Sequence, residues 1–240
     1  MRVAVLSDIH ANLAALDAVI ASFGTVDAVW HLGDVVGYGP EPDGVVERLA
    51  AIGAVGVRGN HDAAALGGDE IEWFNTDARR AMEWTRRRIT PTTRDWLASL
   101  PERHGDGDFS LIHGSPREPI WEYIVSVPIA RANLAMLATP FGLYGHTHQP
   151  MVFVEQDGRV EQIAPGEGST FALDGRRALV NPGSVGQPRD GIPTASYLVL
   201  DTEAGRCTWH RTPYDIPAVQ AAMRDAGLPV RLVERLTYGL

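Results

Sequence analysis

Five short, separated segments of this 240-residue chain carry the side chains that could do chemistry. They are Asp8-Ile9-His10, Gly33-Asp34, Gly59-Asn60-His61-Asp62, His113 and Gly145-His146-Thr147-His148. Carboxylate, amide and imidazole groups without a thiolate among them suit manganese, iron, zinc, cobalt or nickel. The inventory is large enough for two divalent ions, and a bridged pair of metal ions hydrolyses phosphate esters. The segments therefore predict a dinuclear metal site for that reaction.

The spacing within the segments also favours one site. Asp8 and His10 are two residues apart at an expected strand end, where alternate side chains share a face, so both can reach one metal. His146 and His148 have the same separation. Asp34 follows a glycine that permits a tight turn, and it is the expected carboxylate bridge between two ions. A single histidine or aspartate in such a place is usually structural, but the joint pattern favours metal binding.

The apolar pattern predicts the elements that would position these segments. Strands are expected at residues 2–6, 26–32 and 54–57, with helices at 12–23 and 45–52 between them. A β-α-β-α-β order implies parallel strands with right-handed crossovers. Sheets of this kind place ligands beyond the carboxyl ends of their strands. The first three motif segments follow directly after the three expected strands, so the two predictions agree.

The rest of the chain predicts a second, strand-rich half after a helical segment. Residues 70–100 are expected to form a helical insertion that caps or borders the site, with Pro91 at a helix start. Further strands are expected at 109–112, 142–144, 151–154, 178–180, 197–201 and 207–211, with hairpin turns at Asp157-Gly158, Asp174-Gly175 and Ala204-Gly205. Residues 216–236 predict two short helices. Without a repeat or a linker, residues 1–240 are expected to form a single domain.

Composition excludes several classes of protein. The net charge of −9 argues against broad binding to nucleic acid or to anionic membranes. No apolar stretch approaches membrane-spanning length. Cys207 is the single cysteine, which rules out an internal disulfide and predicts a cytoplasmic location. All 21 basic residues are arginine, so a P-loop lysine and a Schiff-base lysine are excluded, and phosphate must be bound by arginine, histidine or metal.

The motifs, in this order, resemble the calcineurin-like metallophosphoesterase superfamily, and in particular its small prokaryotic phosphodiesterase-like branch. The resemblance spans residues 3–148, and the segment Asn181-Pro182-Gly183-Ser184-Val185-Gly186 also resembles a C-terminal signature of small prokaryotic members. It implies an α/β fold, a four-layer α-β-β-α sandwich with the metals at the sheet edge. The helical insertion around residues 70–100 would be added to that sandwich.

The resemblance also implies roles for the motif residues. Two divalent ions are expected, manganese before iron, zinc, nickel or cobalt. The ligand pattern carries over residue by residue as Asp8, His10 and His148 for one ion, Asn60, His113 and His146 for the other, and Asp34 between them. His61 would not bind metal and would assist the leaving oxygen at the scissile phosphate. Hydroxide between the two ions would attack phosphorus in line.

The expected substrate is a small phosphodiester or a nucleotide. The alternatives are hydrolysis of phosphomonoesters or dinucleoside polyphosphates, or a non-catalytic interaction scaffold of the same fold. A Ser/Thr protein phosphatase is not expected, because Val35-Val36-Gly37 follows Asp34 where those enzymes carry a second aspartate and an arginine. The partner that orients His61 therefore stays open, since Asp62 points elsewhere in a simple extended conformation.

Three further residues near the motifs are candidate substrate contacts. Arg189 lies in a turn and could approach the phosphate, or it could be a solvent-exposed turn arginine; Tyr38 and Asn12 neighbour the ligand loops. His31, within an expected strand, is predicted to be buried and structural. The tryptophans Trp73, Trp84 and Trp96 are expected to pack within the helical insertion, with a base-stacking wall as the alternative.

Overall fold

The first part of the chain alternates strands and helices. This computed structural model describes the backbone of residues 1–240 and the side chains of all of them except 69 and 70. The order is β1 (Arg2–Leu6), α1 (Leu13–Ser22), β2 (Ala28–His31), α2 (Pro42–Ala51) and β3 (Val55–Gly56). β1 pairs in parallel with β2, and β2 pairs in parallel with β3. The predicted β-α-β-α-β unit is confirmed.

A helical segment follows β3. It contains α3 (Asn60–Leu66), a 3₁₀ helix (Asp69–Trp73), α4 (Thr76–Arg88) and α5 (Pro91–Ser99). The side chain of Asn75 accepts hydrogen bonds from the first turn of α4, and α5 begins with Pro91, whose missing N–H is not needed there. The helical insertion predicted at residues 70–100 is confirmed. The apolar pattern does not predict α3, which carries three of the motif residues in its first turn.

The second half of the chain is rich in strands. It contains β4 (Arg103–Asp106), β5 (Phe109–Ile112), α6 (Val127–Leu134), β6 (Phe141–Leu143), β7 (Met151–Gln156), β8 (Arg159–Ile163), β9 (Thr170–Ala172), β10 (Ala178–Asn181), β11 (Ala195–Asp201), β12 (Arg206–Thr212), α7 (Ile216–Asp225), α8 (Val230–Glu234) and a 3₁₀ helix (Arg235–Thr237). The strands that the pattern misses, β4, β8 and β9, lie at sheet edges and are mostly exposed, so they lack an alternating apolar signal. Within the residues whose side chains are described, no helix is long and apolar enough to cross a membrane.

The strands form two six-stranded sheets. The first has the order β3-β2-β1-β11-β12-β9, and the second has the order β4-β5-β6-β10-β7-β8. The hairpins predicted at Asp157-Gly158 and Ala204-Gly205 are present as β7–β8 and β11–β12. The hairpin predicted at Asp174-Gly175 is wrong, because β9 and β10 on either side of it belong to different sheets.

Alternate side chains of β1 show how the layers stack. Val3 and Val5 face the second sheet and share a buried cluster with Leu143 of β6. Ala4 and Leu6 face the other way, toward α1 and α2. The outer face of the second sheet is buried against α6. These packed faces give the order helix, sheet, sheet, helix, so the predicted four-layer sandwich is confirmed.

Candidate metal centre

The motif segments meet at one edge of the two sheets. Asp8 and His10 follow β1, Asp34 follows β2, Asn60 begins α3 after β3, His113 follows β5, and His146 and His148 follow β6. β1 and β2 pair in parallel, and so do β5 and β6, so the carboxyl ends of the strands in each pair lie side by side. Each of the seven predicted ligands is at most 3 % exposed. The two sheets therefore bring residues that are far apart in sequence together at one buried site.

The loops that carry the ligands have a left-handed backbone at several positions. Among the residues that the structure describes, eight that are not glycine have positive φ, and seven of them lie in these loops. The φ angles of Asp8, His10 and His148 are 52°, 51° and 59°. Such conformations cost about 1 kcal/mol or more each, so the surrounding structure must hold them. Because β1 ends at Leu6, this turned backbone brings Asp8 and His10 together, and the predicted strand alternation is wrong.

Two motif glycines let the loops approach closely. A Cβ added to Gly59 would lie 2.1 Å from Oδ1 of Asp34, and one added to Gly145 would lie 2.0 Å from Oγ of Ser7. No larger residue fits at either position without moving the neighbouring loop. Close packing therefore explains why glycine precedes Asn60 and His146.

One group of donors contains Asp8, His10, Asp34 and His148. Each offers one ligand atom, and these atoms all lie within 4.8 Å of one another. Nε2 of His148 is 3.4 Å from Oδ1 of Asp8, and Nε2 of His10 is 3.6 Å from Oδ2 of Asp34. The Nε2 atoms of His10 and His148 are 3.1 Å apart. These four donors surround a space suited to one cation.

A second group shares Asp34 with the first. Donor atoms of Asp34, His113 and His146 also lie within 4.8 Å of one another. Nε2 of His113 is 3.5 Å from Oδ1 of Asp34 and 3.0 Å from Nδ1 of His146. Oδ1 of Asn60 is 2.9 Å from the same nitrogen of His113, so the amide oxygen faces this group as well. The two carboxylate oxygens of Asp34 therefore face different groups of donors.

The four histidines of these groups are oriented by main-chain carbonyls. The outer ring nitrogen of each lies near one carbonyl oxygen: His10 at 3.3 Å from Val36, His113 at 2.8 Å from Leu32, His148 at 2.6 Å from Gln187 and His146 at 3.2 Å from Trp121. Because a carbonyl only accepts, the outer nitrogen carries the proton and the inner nitrogen presents a lone pair. Lone pairs that face one another at 3.0–3.1 Å repel unless a cation lies between them. The arrangement therefore fits bound metal.

The pKa values of the site residues also indicate that the site fits bound metal. Burial raises the pKa of Asp8 to about 7. Burial also raises the pKa of Asp34, and the nearby carboxylate of Asp62 adds to that rise. Burial and the neighbouring His61 lower the pKa of His10. Buried carboxylates beside neutral imidazoles lack positive charge, which divalent ions would supply and thereby reverse the carboxylate shifts.

His61 adjoins the first group of donors. Its ring centroid lies 4.8 Å from that of His10, 4.3 Å from that of Tyr38 and 4.7 Å from that of Phe74. Its Nδ1 is 3.1 Å from the sulfur of Met82, and burial lowers the pKa of the imidazole, with Arg189 adding to that effect. Among the side chains that the structure describes, aromatic rings and a thioether, rather than a carboxylate, hold this imidazole in place. The sequence alone does not predict these contacts of His61.

The carboxylate of Asp62 binds main-chain N–H groups rather than the imidazole of His61. It lies in the first turn of α3, and its Oδ1 accepts hydrogen bonds from the main-chain N–H groups of Val35 and Val36. Its Oδ2 accepts a third from Gly59. The extended conformation expected here is wrong, because Asn60–Leu66 is helical. Asp62 therefore fastens the loop after β2, which carries Asp34, to the start of α3.

The three candidate substrate contacts lie in three different environments. The guanidinium of Arg189 lies 5.8 Å from the ring centroid of Tyr38, and Arg189 is half-buried rather than fully exposed. Tyr38 in turn packs on His10 and His61. Asn12 caps α1 and donates to the carbonyl of Gly186, so its polar atoms are used within the protein. Substrate contacts of all three residues stay predictions.

An aromatic cluster lies beside the site and consists of Trp73, Phe74, Trp121 and Tyr123. The sequence only partly predicts it. Trp73 is 70 % exposed, and its ring lies 4.9 Å from that of Trp121. Phe74 bridges Trp121 and His61, and Tyr123 stacks on His146 at 3.7 Å. The expected packing of Trp73 within the helical insertion is therefore wrong. Its partner Trp121 lies in a loop of the second half, which no local pattern connects to the site.

The fold and the donor set define a class of protein. Residues 1–205 match the calcineurin-like phosphoesterase superfamily domain. The chain therefore belongs to the calcineurin-like phosphoesterase superfamily, as the order of its motifs predicts. Members of this family depend on metal, and the two donor groups around Asp34 are positioned to hold it.

Individual relatives agree with the family. The chain is 43 % identical to a metallophosphoesterase from Sphaerobacter thermophilus, whose crystal structure superimposes with a TM-score of 0.92 over 100 % of both chains. It is 35 % identical over 245 residues to an uncharacterized protein of Methanocaldococcus jannaschii, covering 99 % of this chain and 98 % of that one. It is 29 % identical over 215 residues to phosphodiesterase YfcE of Escherichia coli (strain K12), covering 85 % and 89 %. Family and site together support a phosphoester hydrolase.

Proposed function

We propose that this chain is a dinuclear metal-dependent phosphoesterase that acts on small phosphodiesters or nucleotides. The observation that carries the proposal is the position of Asp34, whose two oxygens face two separate groups of buried donors. A single-metal site needs only one of these groups. Two groups joined by one carboxylate suit a pair of ions a few ångströms apart, the arrangement used for in-line displacement at phosphorus.

The proposed ligands follow from this geometry and from the family resemblance. Asp8, His10 and His148 hold one ion, Asn60, His113 and His146 hold the other, and Asp34 lies between them. Manganese is the first expectation for a donor set of oxygen and nitrogen, with iron, zinc, nickel and cobalt as alternatives. When bound, such a pair supplies Lewis acidity and lowers the pKa of coordinated water to near neutrality.

His61 is proposed as the residue that assists the leaving oxygen. Its Nδ1 faces Met82, so Nε2 is the ring nitrogen available to a substrate. The packing of Tyr38 and Phe74 on the ring fixes its direction and keeps water away from it. Burial lowers the pKa of this imidazole in the metal-free protein, so His61 must gain a proton together with the anionic substrate before it donates one to a departing alkoxide.

The surroundings of the site favour a small substrate with a planar group. Tyr123 is exposed and stacks on His146, and Trp73 is exposed next to Phe74, which packs on His61. The rings of Trp73 and Tyr123 can stack on a nucleobase or an aryl ring. The preference for diesters is supported by the similarity to phosphodiesterase YfcE. The net charge of −9 argues against long nucleic acids as substrates. We also infer a reducing, cytoplasmic setting, because the single cysteine, Cys207, is buried and unpaired.

Hydrolysis of bis-(p-nitrophenyl) phosphate and p-nitrophenyl phosphate tests the proposal. Protein stripped by a chelator should be inactive, and manganese should restore cleavage, faster for the diester. H61A should lower turnover by about 10²–10⁴-fold while metal content, measured by mass spectrometry, is unchanged. D34N should lose both metal and activity, whereas H104A, which changes a histidine on β4 outside the site, should lose neither.

Three outcomes would contradict parts of this proposal. Faster cleavage of the monoester would replace the diester preference by the phosphomonoesterase alternative. Loss of metal in H61A would show that His61 is a ligand rather than the assisting acid. Protein that holds two ions per chain but cleaves neither ester, nor a panel of nucleotides, would favour the non-catalytic scaffold.

A further inference from the structure

The loop between β5 and α6 contacts one of the proposed metal ligands from outside the site. It begins directly after His113 and runs over residues 114–126. The main-chain oxygen of Trp121 lies 3.2 Å from Nε2 of His146. The ring of Tyr123 stacks on the same imidazole, with the ring centroids 3.7 Å apart and the planes inclined by 22°. Two residues of this loop therefore fix the orientation of His146.

These two contacts decide which atom His146 presents to the metal centre. Because the Trp121 carbonyl accepts a hydrogen bond, the proton of the neutral imidazole lies on Nε2 and Nδ1 keeps its lone pair. Nδ1 lies 3.0 Å from Nε2 of His113, within the second group of donors. Without the loop, the ring is free to turn or to take the other tautomer. Partners that orient a ligand in this way typically change metal affinity by about 10–100-fold.

The carboxylate of Glu122 anchors the loop between these two contacts. Its Oε2 accepts hydrogen bonds from Oγ of Ser115 at 2.6 Å, from Nδ2 of Asn133 at 2.8 Å and from Nε of Arg117 at 3.2 Å. Ser115 and Asn133 are fully buried, and the side chain of Glu122 is 18 % exposed. The Trp121 carbonyl belongs to the peptide bond that joins Trp121 to Glu122. A fixed Glu122 therefore fixes the acceptor that orients His146.

Asn133 connects this anchor to the rest of the fold. It lies on α6, and its Oδ1 accepts a hydrogen bond from the main-chain N–H of Arg117 at 2.9 Å. Its Nδ2 also donates to the main-chain oxygen of Ile129 at 3.1 Å. Ile124, at the end of the same loop, is buried in the cluster between α6 and the second sheet. The loop is thereby held on α6 from both sides of Glu122.

We propose that Glu122 is a positioning residue for the metal ion of the second group of donors. By fixing the peptide bond after Trp121 and the backbone before Tyr123, it holds His146 in the orientation that directs Nδ1 at the ion. The proposal rests on the function proposed for the metal centre. It assigns part of the affinity for one ion to a carboxylate whose hydrogen bonds go to residues outside both donor groups.

Calorimetric titration of the chelator-stripped full chain with Mn²⁺ tests this proposal. Glu122→Ala (E122A) removes the acceptor of all three hydrogen bonds and should weaken one of the two binding steps about tenfold or more, with the other unchanged. E122Q keeps an acceptor oxygen and should lose less. The control E155Q removes a carboxylate of β7 that lies 4.0 Å from Arg177, and it should change neither step.

A double-mutant cycle shows whether the effect passes through His146. In the H146A background, E122A should have no further effect on Mn²⁺ binding, whereas in the H148A background its effect should persist. Y123A is a second variant that leaves the hydrogen bonds of Glu122 in place, and its half-exposed ring makes it independent of the folding of E122A. It should weaken the same ion, and Y123F, which keeps the ring, should weaken it less.

The possible outcomes separate this proposal from the function on which it rests. Equal weakening of both ions in E122A, an effect that is as large in H146A, or unchanged binding in E122A and Y123A would refute the positioning role. If the wild type still cleaves bis-(p-nitrophenyl) phosphate, the hydrolase then stands alone. If the cycle shows coupling but neither this ester nor any nucleotide is cleaved, the hydrolase is refuted and the positioning role stands. If the wild type binds a single ion, the dinuclear site is refuted, and the same cycle on that ion decides the role of Glu122.

Discussion

The buried side chain of His31 should make the stability of the protein depend on pH. His31 is fully buried on β2, and neither ring nitrogen has a hydrogen-bond partner among the described residues. Its ring stacks on Trp96 at 5.6 Å and lies against Gly56, where an added Cβ would come within 2.5 Å of it. Burial lowers its pKa from 6.5 to about 4. The folded protein therefore resists protonation of this ring.

The sign and size of the effect follow from the two pKa values. In the unfolded chain His31 binds a proton as the pH falls below 6.5, but in the folded protein it does so only near 4. Stability is therefore full above pH 6.5, is lost as the pH falls toward 4, and changes no further below that. The whole difference corresponds to about 3 kcal/mol of unfolding free energy, of which about 2 kcal/mol is lost at pH 5.

Urea unfolding of the metal-free wild type and of H31L measures this contribution. Leucine nearly preserves the volume and cannot be protonated, so every other titrating group cancels in the comparison. Between about pH 7.5 and about pH 5, the wild type should lose about 2 kcal/mol more than H31L. H104L, which removes a less buried histidine of β4, controls for the loss of a histidine in general. A gap between wild type and H31L that is the same at both pH values would refute the reasoning.

Two further predictions concern the surroundings of the site. Asp62→Ala removes the acceptor of three buried main-chain N–H groups and should lower the unfolding free energy by about 3 kcal/mol or more, measured in urea. D62N keeps one acceptor oxygen and should lose less; equal losses would contradict this account. Trp73→Ala should raise KM for bis-(p-nitrophenyl) phosphate about fivefold through lost stacking, and W73F should restore most of it. An unchanged KM in Trp73→Ala would show that the exposed ring does not touch substrate.

The sequence predicts buried strands and helices more closely than exposed ones. β1 carries a continuous apolar run, and β5 carries one that only Ser110 interrupts, because other layers cover their faces, so their limits are close to the predicted ones. The edge strands β4 and β8 bury few side chains and give no such signal. The apolar pattern does not predict α3, because its first turn is occupied by the polar motif residues and its remainder is short and rich in alanine.

The candidate site divides in the same way. The identities of the seven predicted ligands can be proposed from the sequence, because each follows a strand or a glycine turn and strand order alone brings such ends together. What surrounds His61 cannot be predicted in this way. Phe74 and Met82 come from the helical insertion, and their contact with His61 depends on how that insertion packs. The role of Asp62 likewise required the helical backbone of α3.

The sequence by itself determined the donor types, their order and the elements that precede them, because these depend on local patterns of apolar and polar residues. Only the tertiary structure decided that Asp34 faces two groups of donors and that Asp8 and His10 meet through a left-handed turn. It also brought Trp121 and Tyr123 from the loop after β5 to the imidazole of His146. These relations are long-range: their energy comes from packing and charge between segments far apart in the chain, and no local pattern records such contacts.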